Sequence, residues 1–406
     1  MANASRRAGQ GREEPISRRP ICRMADRRRG SLDGRRPAGT VNRRVFILTT
    51  EPPARPGGLE HFVRELTTGL ESKGYSVEVF HRGNALPPWL NSTSGSLKSK
   101  IATTLVGYFV GRWAQRRLGE DVTAVISNSD VGYYPLRSLS PVLKQIHFFH
   151  GTYRGQAEAI SDSITLPGYL YLKWWSSMVL ERFSGRGKLV LCNSDQTREE
   201  VARYFGLNGT TVWLQLDIAH FFPRDQAECR RKLGLPVDRP LGLFVGSTHP
   251  QKGFSVVTQV AKALPQVHWV FALRGQPPRD LQVPGRHLFR DAPKDQLPLL
   301  YGAADFTICP SRYEPFGYVV AEALACGRPV IASPGGASKL FLREAPLNRL
   351  LISNPDAVSD FISAVREVLR DPQGYRQAVV ERVHPELEQI MGSEHWWQRF
   401  WEITGL

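Results

Sequence analysis

The 406-residue chain has only five cysteines, at 22, 192, 229, 309 and 326, with no C-x-x-C pair and no zinc-ligand spacing. That argues against a disulfide framework or a structural zinc site and for reduced thiols in a cytoplasmic protein. Long apolar runs are missing too. None reaches the roughly 18–20 residues of a membrane span, and the best attempt, IATTLVGYFVG at 101–111, is followed by Arg112, Arg116 and Arg117. The N-terminal stretch lacks the apolar h-region of a secretory signal. Lysine is absent from residues 1–44, where 13 Arg against 4 acids account for +9 of the formal net charge of +15. This segment has no apolar periodicity and cannot bury enough surface to fold alone. It reads as a disordered Arg-rich extension, or as residues upstream of a start at Met24 or later. Nucleic acid is not expected as a partner. G-x-G-x-x-G, G-x-x-x-x-G-K-[ST] and D-x-D are also absent, so no dinucleotide, P-loop or acidic metal signature stands by itself.

What is present is alternation. From residue 45, apolar strand-like runs (VFILTT, SVEVFHR, TAVISN, QIHFFHG, KLVLCNS) alternate with helical patterns. The first helical pattern, at 60–74, puts Phe62, Val63, Leu66 and Leu70 on one face. A Pro-containing segment, DIAHFFPRDQAE at 217–228, precedes a second alternation: LGLFVG, HWVFALRG, HLFR, DFTICP and PVIASP, with helices between. Such alternation implies parallel sheets covered on both faces. The expected architecture is α/β: two Rossmann-like domains at 45–222 and 223–390 after the 1–44 extension, with ligands at the strand carboxyl ends. HWWQRFWEITGL, within a last helix at 391–406, has aromatics spaced like one helix face.

The stretch RYEPFGYVVAEALACG, 312–327, holds two acids with seven residues between them, Glu314 in a loop and Glu322 in an apolar helix. With Pro315 at the helix start, the amides of Phe316, Gly317 and Tyr318 face outward as an anion site. Plain structural readings stand beside the functional ones: Glu314 as a helix-dipole partner, Glu322 as a solvated or ion-paired position. LFVGSTHPQKGF offers a second anion loop, with Gly246, Ser247 and Lys252, and SPGGAS at 333–338 a third. Gly57 and Gly58 form a glycine loop after the first strand, and His150 ends another strand on the same edge. The helical pattern at 97–119 mixes apolar and basic faces, readable as a peripheral membrane contact or as an ordinary packed helix.

Together these residues resemble the family-4 retaining glycosyltransferases of GT-B fold, from about residue 45 to the C-terminus. The specific signal is LPLLYGAADFTICPSRYEPFGYVVAEALACGRPVIASPGGAS with its Glu-x7-Glu pair. PGGLEHFVRELTTGLESKGYSVEVF, LVLCNSDQTREEVARYFGL, LDIAHFFP and GSTHPQKG follow in the family's order. The resemblance implies a last helix crossing back to the first domain and a cleft that binds a nucleotide diphosphate sugar as co-substrate, with no other cofactor and no metal. By the same resemblance Glu314 contacts the donor sugar, the Phe316 and Gly317 amides bind it, Glu322 holds the ribose, Lys252 neutralises the diphosphate, and His150 reaches the sugar from the first domain. Two departures stand out. Ser247 replaces the family's usual arginine, so that one diphosphate contact is either missing or supplied by another base such as Arg274 or Arg312, and LQLD replaces the usual Asn-Gly before the linker aspartate. The implied function is hexosyl transfer from a UDP- or GDP-linked donor to a hydroxyl of a glycan, lipid-linked or small-molecule acceptor. It would act in the cytoplasm or at the inner membrane face. The alternative is a non-catalytic glycan- or nucleotide-binding protein on the same fold.

Overall fold

A computed structural model describes residues 43–55, 57–87, 97–137, 141–276 and 285–406. The Arg-rich extension therefore lies outside the described residues except for Arg43 and Arg44, and Arg44 already opens the first strand and pairs with Glu78 and Asp121. Two all-parallel sheets follow. β1 (Arg44–Leu48), β2 (Ser76–Phe80), β3 (Val122–Asn128), β4 (Lys144–Phe149), β5 (Leu189–Cys192) and β6 (Gly209–Thr211) lie in the order β2-β1-β3-β4-β5-β6. β7 (Leu241–Gly246), β8 (His268–Leu273), β9 (Arg286–Arg290), β10 (Phe306–Cys309) and β11 (Val330–Ala332) lie in the order β11-β10-β7-β8-β9. In each sheet the chain reverses its direction of travel at one place, between β1 and β3 and between β7 and β10. At such a switch point the loops after two adjacent strands diverge to opposite faces and leave a crevice.

The central strands are the near-continuous apolar runs expected of sheets buried on both faces: β8 is buried at all six positions, while the edge strand β9 alternates exposed and half-buried residues. The Gly58–Ser72 helix buries Phe62, Val63, Leu66 and Leu70, the four residues its periodicity selects. One hydrophobic core runs from β1 through both sheets to Phe400. A second cluster packs Val106, Val110 and Ala114 of the Leu97–Arg117 helix against Phe46, Phe80 and Val125. That i, i+4, i+8 stripe faces inward, as in an ordinary packed helix.

The segment TTVWLQL extends the sheet only to Thr211. Beyond it the backbone serves the chain's end. Trp213 O accepts from the Trp396 indole, and Leu216 N–H donates to Met391 O at 2.8 Å. The Ser393–Thr404 helix thus lies on the first half, with Trp396 and Phe400 buried, Trp396 at 6.3 Å from Phe62, and Trp401 stacked on Tyr75. Gln215, which stands in the LQLD departure, bonds Glu65 of the Gly58–Ser72 helix at 3.3 Å.

Candidate active site

The loops leaving β7 and β10 flank the second switch point, and their side chains meet there. After β7, Ser247 Oγ accepts from His249 N–H, and a tight turn over Pro250–Lys252 ends at Gly253, which has φ +64°. A Cβ on Gly253 would stand 2.0 Å from Pro310 O, so only glycine lets this turn lie against the β10 loop. The contact carries Lys252 to Glu314: Nζ to Oε2 is 2.6 Å, and Ser311 Oγ donates to the same oxygen at 3.2 Å. Both partners are half-buried.

The helix behind Glu314 spans Tyr318–Ala325, three residues later than Pro315 at its start would require. Gly317, at φ +92°, is the cap, because the chain enters through a left-handed turn that a side chain disfavours. Pro315 and Phe316 instead form a bend held by the first turn of the Gly336–Phe341 helix, through Ala337 N–H to Phe316 O at 2.6 Å. The glycines of SPGG therefore serve loop-to-loop packing: a Cβ on Gly336 would overlap Phe316 O. The first helical bond runs from Ala321 N–H to Gly317 O, which leaves the Tyr318, Val319 and Val320 amides without intrahelical acceptors. Glu322 is then about one turn in. Its carboxylate accepts from Tyr301 OH at 2.7 Å. Burial raises its pKa to about 7, while the Tyr301 bond and the charges of Lys294 and Arg274 pull it down.

The first half supplies the facing wall. The Tyr318 ring stands beside Gly58 and lies 5.6 Å from the His61 ring. Glu60 folds over Gly57; burial raises its pKa, and Arg274 is among the charges that lower it. His150 packs against both the Phe62 and Phe148 rings, which also touch each other, with Nε2 3.0 Å from Asn128 Oδ1. The Asn128 amide donates to Leu48 O, so Oδ1 is the acceptor and His150 Nε2 carries the proton. Nδ1 keeps a free lone pair. Burial lowers the pKa of this ring to about 3, so it is neutral. Among the described residues His150 makes no direct contact with Lys252 or Glu314; its neighbour Gly151 lies against Pro315.

Several residues that pattern reading passes over join the two walls. Tyr313 OH accepts from Thr152 N–H and donates to Glu200, each at 2.7 Å, in a buried pocket of the first half. Gln251 bonds Gln156 at 3.0 Å and the Tyr313 carbonyl at 2.8 Å. Arg312 is committed to Asp162 and Asp356, which removes it as the substitute for the base missing at Ser247. Arg274 is exposed at the end of β8 and has no ion pair among the described residues, which leaves it available. Nothing in the local sequence marks Glu200, Tyr301 or Lys294; their places depend on which strands are neighbours.

Two family models match the chain, Glycosyltransferase Family 4 over residues 56–214 and Glycosyl transferases group 1 over residues 225–383. A D-inositol 3-phosphate glycosyltransferase of Catenulispora acidiphila is 26% identical over 389 residues, covering 82% of this chain and 88% of the relative. Sucrose-phosphate synthase of Thermosynechococcus elongatus superposes with a TM-score of 0.73 at 19% identity, over 89% of this chain and 98% of that one. The Anabaena protein HepE, solved in complex with UDP-glucose, gives a TM-score of 0.64 at 17% identity, over 89% and 100%. With both halves matched in order and the paired parallel sheets in place, the chain belongs to the family-4 glycosyltransferases of GT-B fold.

Proposed function

We propose that the protein is a retaining, metal-independent hexosyltransferase that moves a sugar from a UDP- or GDP-linked donor to a hydroxyl acceptor. The observation that carries this reading is the Lys252–Glu314 contact at the switch point, beside the open amides of the Tyr318–Ala325 helix. A cation and a helix N-terminus suit a diphosphate, and a carboxylate touching that cation suits sugar hydroxyls next to it. A structural neighbour solved with UDP-glucose supports the donor class.

In this reading the bond between the anomeric carbon and the diphosphate oxygen breaks, leaving an oxocarbenium-like sugar and an extra negative charge on the leaving phosphate. Lys252 shifts from Glu314 to that charge, and Arg274 supplies the second positive contact that Ser247 does not. Preorganised donors act where charge develops, in a site that has little water to reorganise. Glu314, relieved of its cation, accepts from the sugar hydroxyls, and neutral His150 offers Nδ1 to another. Glu322 accepts from the ribose. The acceptor oxygen bonds to the anomeric carbon on the face the diphosphate leaves, and its proton passes to the departing phosphate oxygen. Stereochemistry at that carbon is retained.

The test is a melting-temperature screen with UDP, GDP and ADP, followed by sugar transfer or hydrolysis assays with donors of the best base. One nucleoside diphosphate is expected to raise the melting temperature, and product NMR is expected to show the donor's anomeric configuration. Lys252→Ala should lower kcat by roughly 100- to 1,000-fold. No stabilisation by any of the three, or normal turnover in Lys252→Ala, would remove this assignment.

A further inference from the structure

The helical run that follows the cleft is turned inside out. Residues 166–185 wind as Leu166–Leu170, a wider π-type stretch over Tyr171–Glu181, and Arg182–Gly185. Its buried positions are mostly small or polar: Ser176, Ser177, Glu181 and Ser184. Apart from Pro167 and Arg182, its exposed positions are large and apolar: Leu166 69%, Leu170 44%, Trp174 57%, Trp175 46%, Val179 36% and Phe183 49%. Steps of four residues, about one helical turn, link Leu166, Leu170 and Trp174, and again Trp175, Val179 and Phe183, so these side chains lie along one side of the run. Scattered exposed apolar residues are ordinary, but a contiguous row with two tryptophans over buried serines marks a surface built to be covered.

We propose that this row is a docking face for an anionic lipid bilayer. The charges decide in favour of lipid. From 166 to 189 the only acid, Glu181, is buried and accepts from Tyr153 N–H. The flanking acids Glu158 and Asp162 are paired with Arg154 and Arg312. Arg182 and Arg186 are exposed, with no ion pair among the described residues. An apolar row with tryptophans and only positive charge left over suits the headgroup level of an anionic leaflet, where indole rings are enriched. A second copy of the chain would set these arginines against each other. The face begins four residues after Asp162, whose partner Arg312 is two residues from Glu314, so docking would bring the cleft mouth to the bilayer surface. No helix among the described residues is long and apolar enough to cross a membrane, so the contact is interfacial.

The full-length chain should co-sediment with phosphatidylcholine vesicles containing phosphatidylglycerol, and far less with phosphatidylcholine alone. Tryptophan emission should shift to the blue on binding. The triple variant Trp174→Ser, Trp175→Ser, Phe183→Ser keeps every charge, including those of residues 1–44, and should lose on the order of tenfold or more in partitioning. It should melt as the parent does and hydrolyse donor unchanged. If the triple variant fails to fold, Trp174→Ser alone, measured the same way, should show a smaller loss. Parent-like vesicle binding by these variants would overturn the proposal and leave the basic charges responsible. So would an absence of parent binding together with a dimer, seen by light scattering, that the variants dissolve; the face would then be a self-association surface.

Discussion

Glu322 is half-buried beneath Tyr301, and desolvation lifts its pKa from the ordinary 4.5 to about 7. The folded chain therefore holds this proton through a range in which the unfolded chain has released it. The resulting cost to stability is absent well below pH 4.5, grows as pH rises, and is complete above about pH 7. Glu322→Gln keeps an oxygen for Tyr301 and removes that cost, so calorimetry should show a larger gain in Tm at pH 8 than at pH 5. Equal gains at the two values would mean that the carboxyl is not shifted. Ligand binding runs in the opposite sense. Under the proposed function Glu322 accepts from ribose hydroxyls as a carboxylate, which protonation removes, so nucleoside diphosphate affinity should fall as pH drops below about 7. His150, neutral down to about pH 3, adds nothing in this window.

At the level of elements, the turn after β7 is set by Gly253 more than by Lys252. Gly253→Ala imposes left-handed strain of roughly 1–3 kcal/mol and drives a Cβ onto the Pro310 carbonyl. Gly206→Ala is the control, since Gly206 has nearly the same φ, +66°, with nothing within 4 Å. Gly253→Ala should lose more stability in urea than Gly206→Ala and should also lose the nucleoside diphosphate response; equal losses would show that the close approach to Pro310 costs nothing. Strands, helix faces and glycine loops were legible because each follows from local periodicity and backbone freedom. The start of the Tyr318–Ala325 helix was not. Proline is tolerated at a first helical position, but Gly317 takes a left-handed turn and the first turn of the Gly336–Phe341 helix captures Phe316 O, and neither is visible in a local pattern.

At the level of the molecule, the last helix ties the chain's end to its first half. Trp396 is buried against Phe62 and bonded to Trp213 O. Removing a buried tryptophan costs roughly 3–5 kcal/mol, so Trp396→Ala should lower the melting temperature substantially. It should also loosen the 213–216 backbone in hydrogen exchange, because Leu216 shares that contact through Met391. Protection unchanged at Leu216 would show that the two anchors are independent. The chain's order alone determined the paired parallel sheets, because alternation, helix faces and turn residues act over short distances. It also put Lys252, Glu314, Glu322 and the glycine loops at strand carboxyl ends. Only the tertiary structure decided which of them touch. Placing β7 beside β10 set Lys252 on Glu314, and the docking of the 311–315 loop on the first half committed Arg312 and Tyr313 to Asp162 and Glu200. Those contacts join residues 62 to 150 positions apart, and neighbours in space at that separation are chosen by strand order and packing, which no local run of residues encodes.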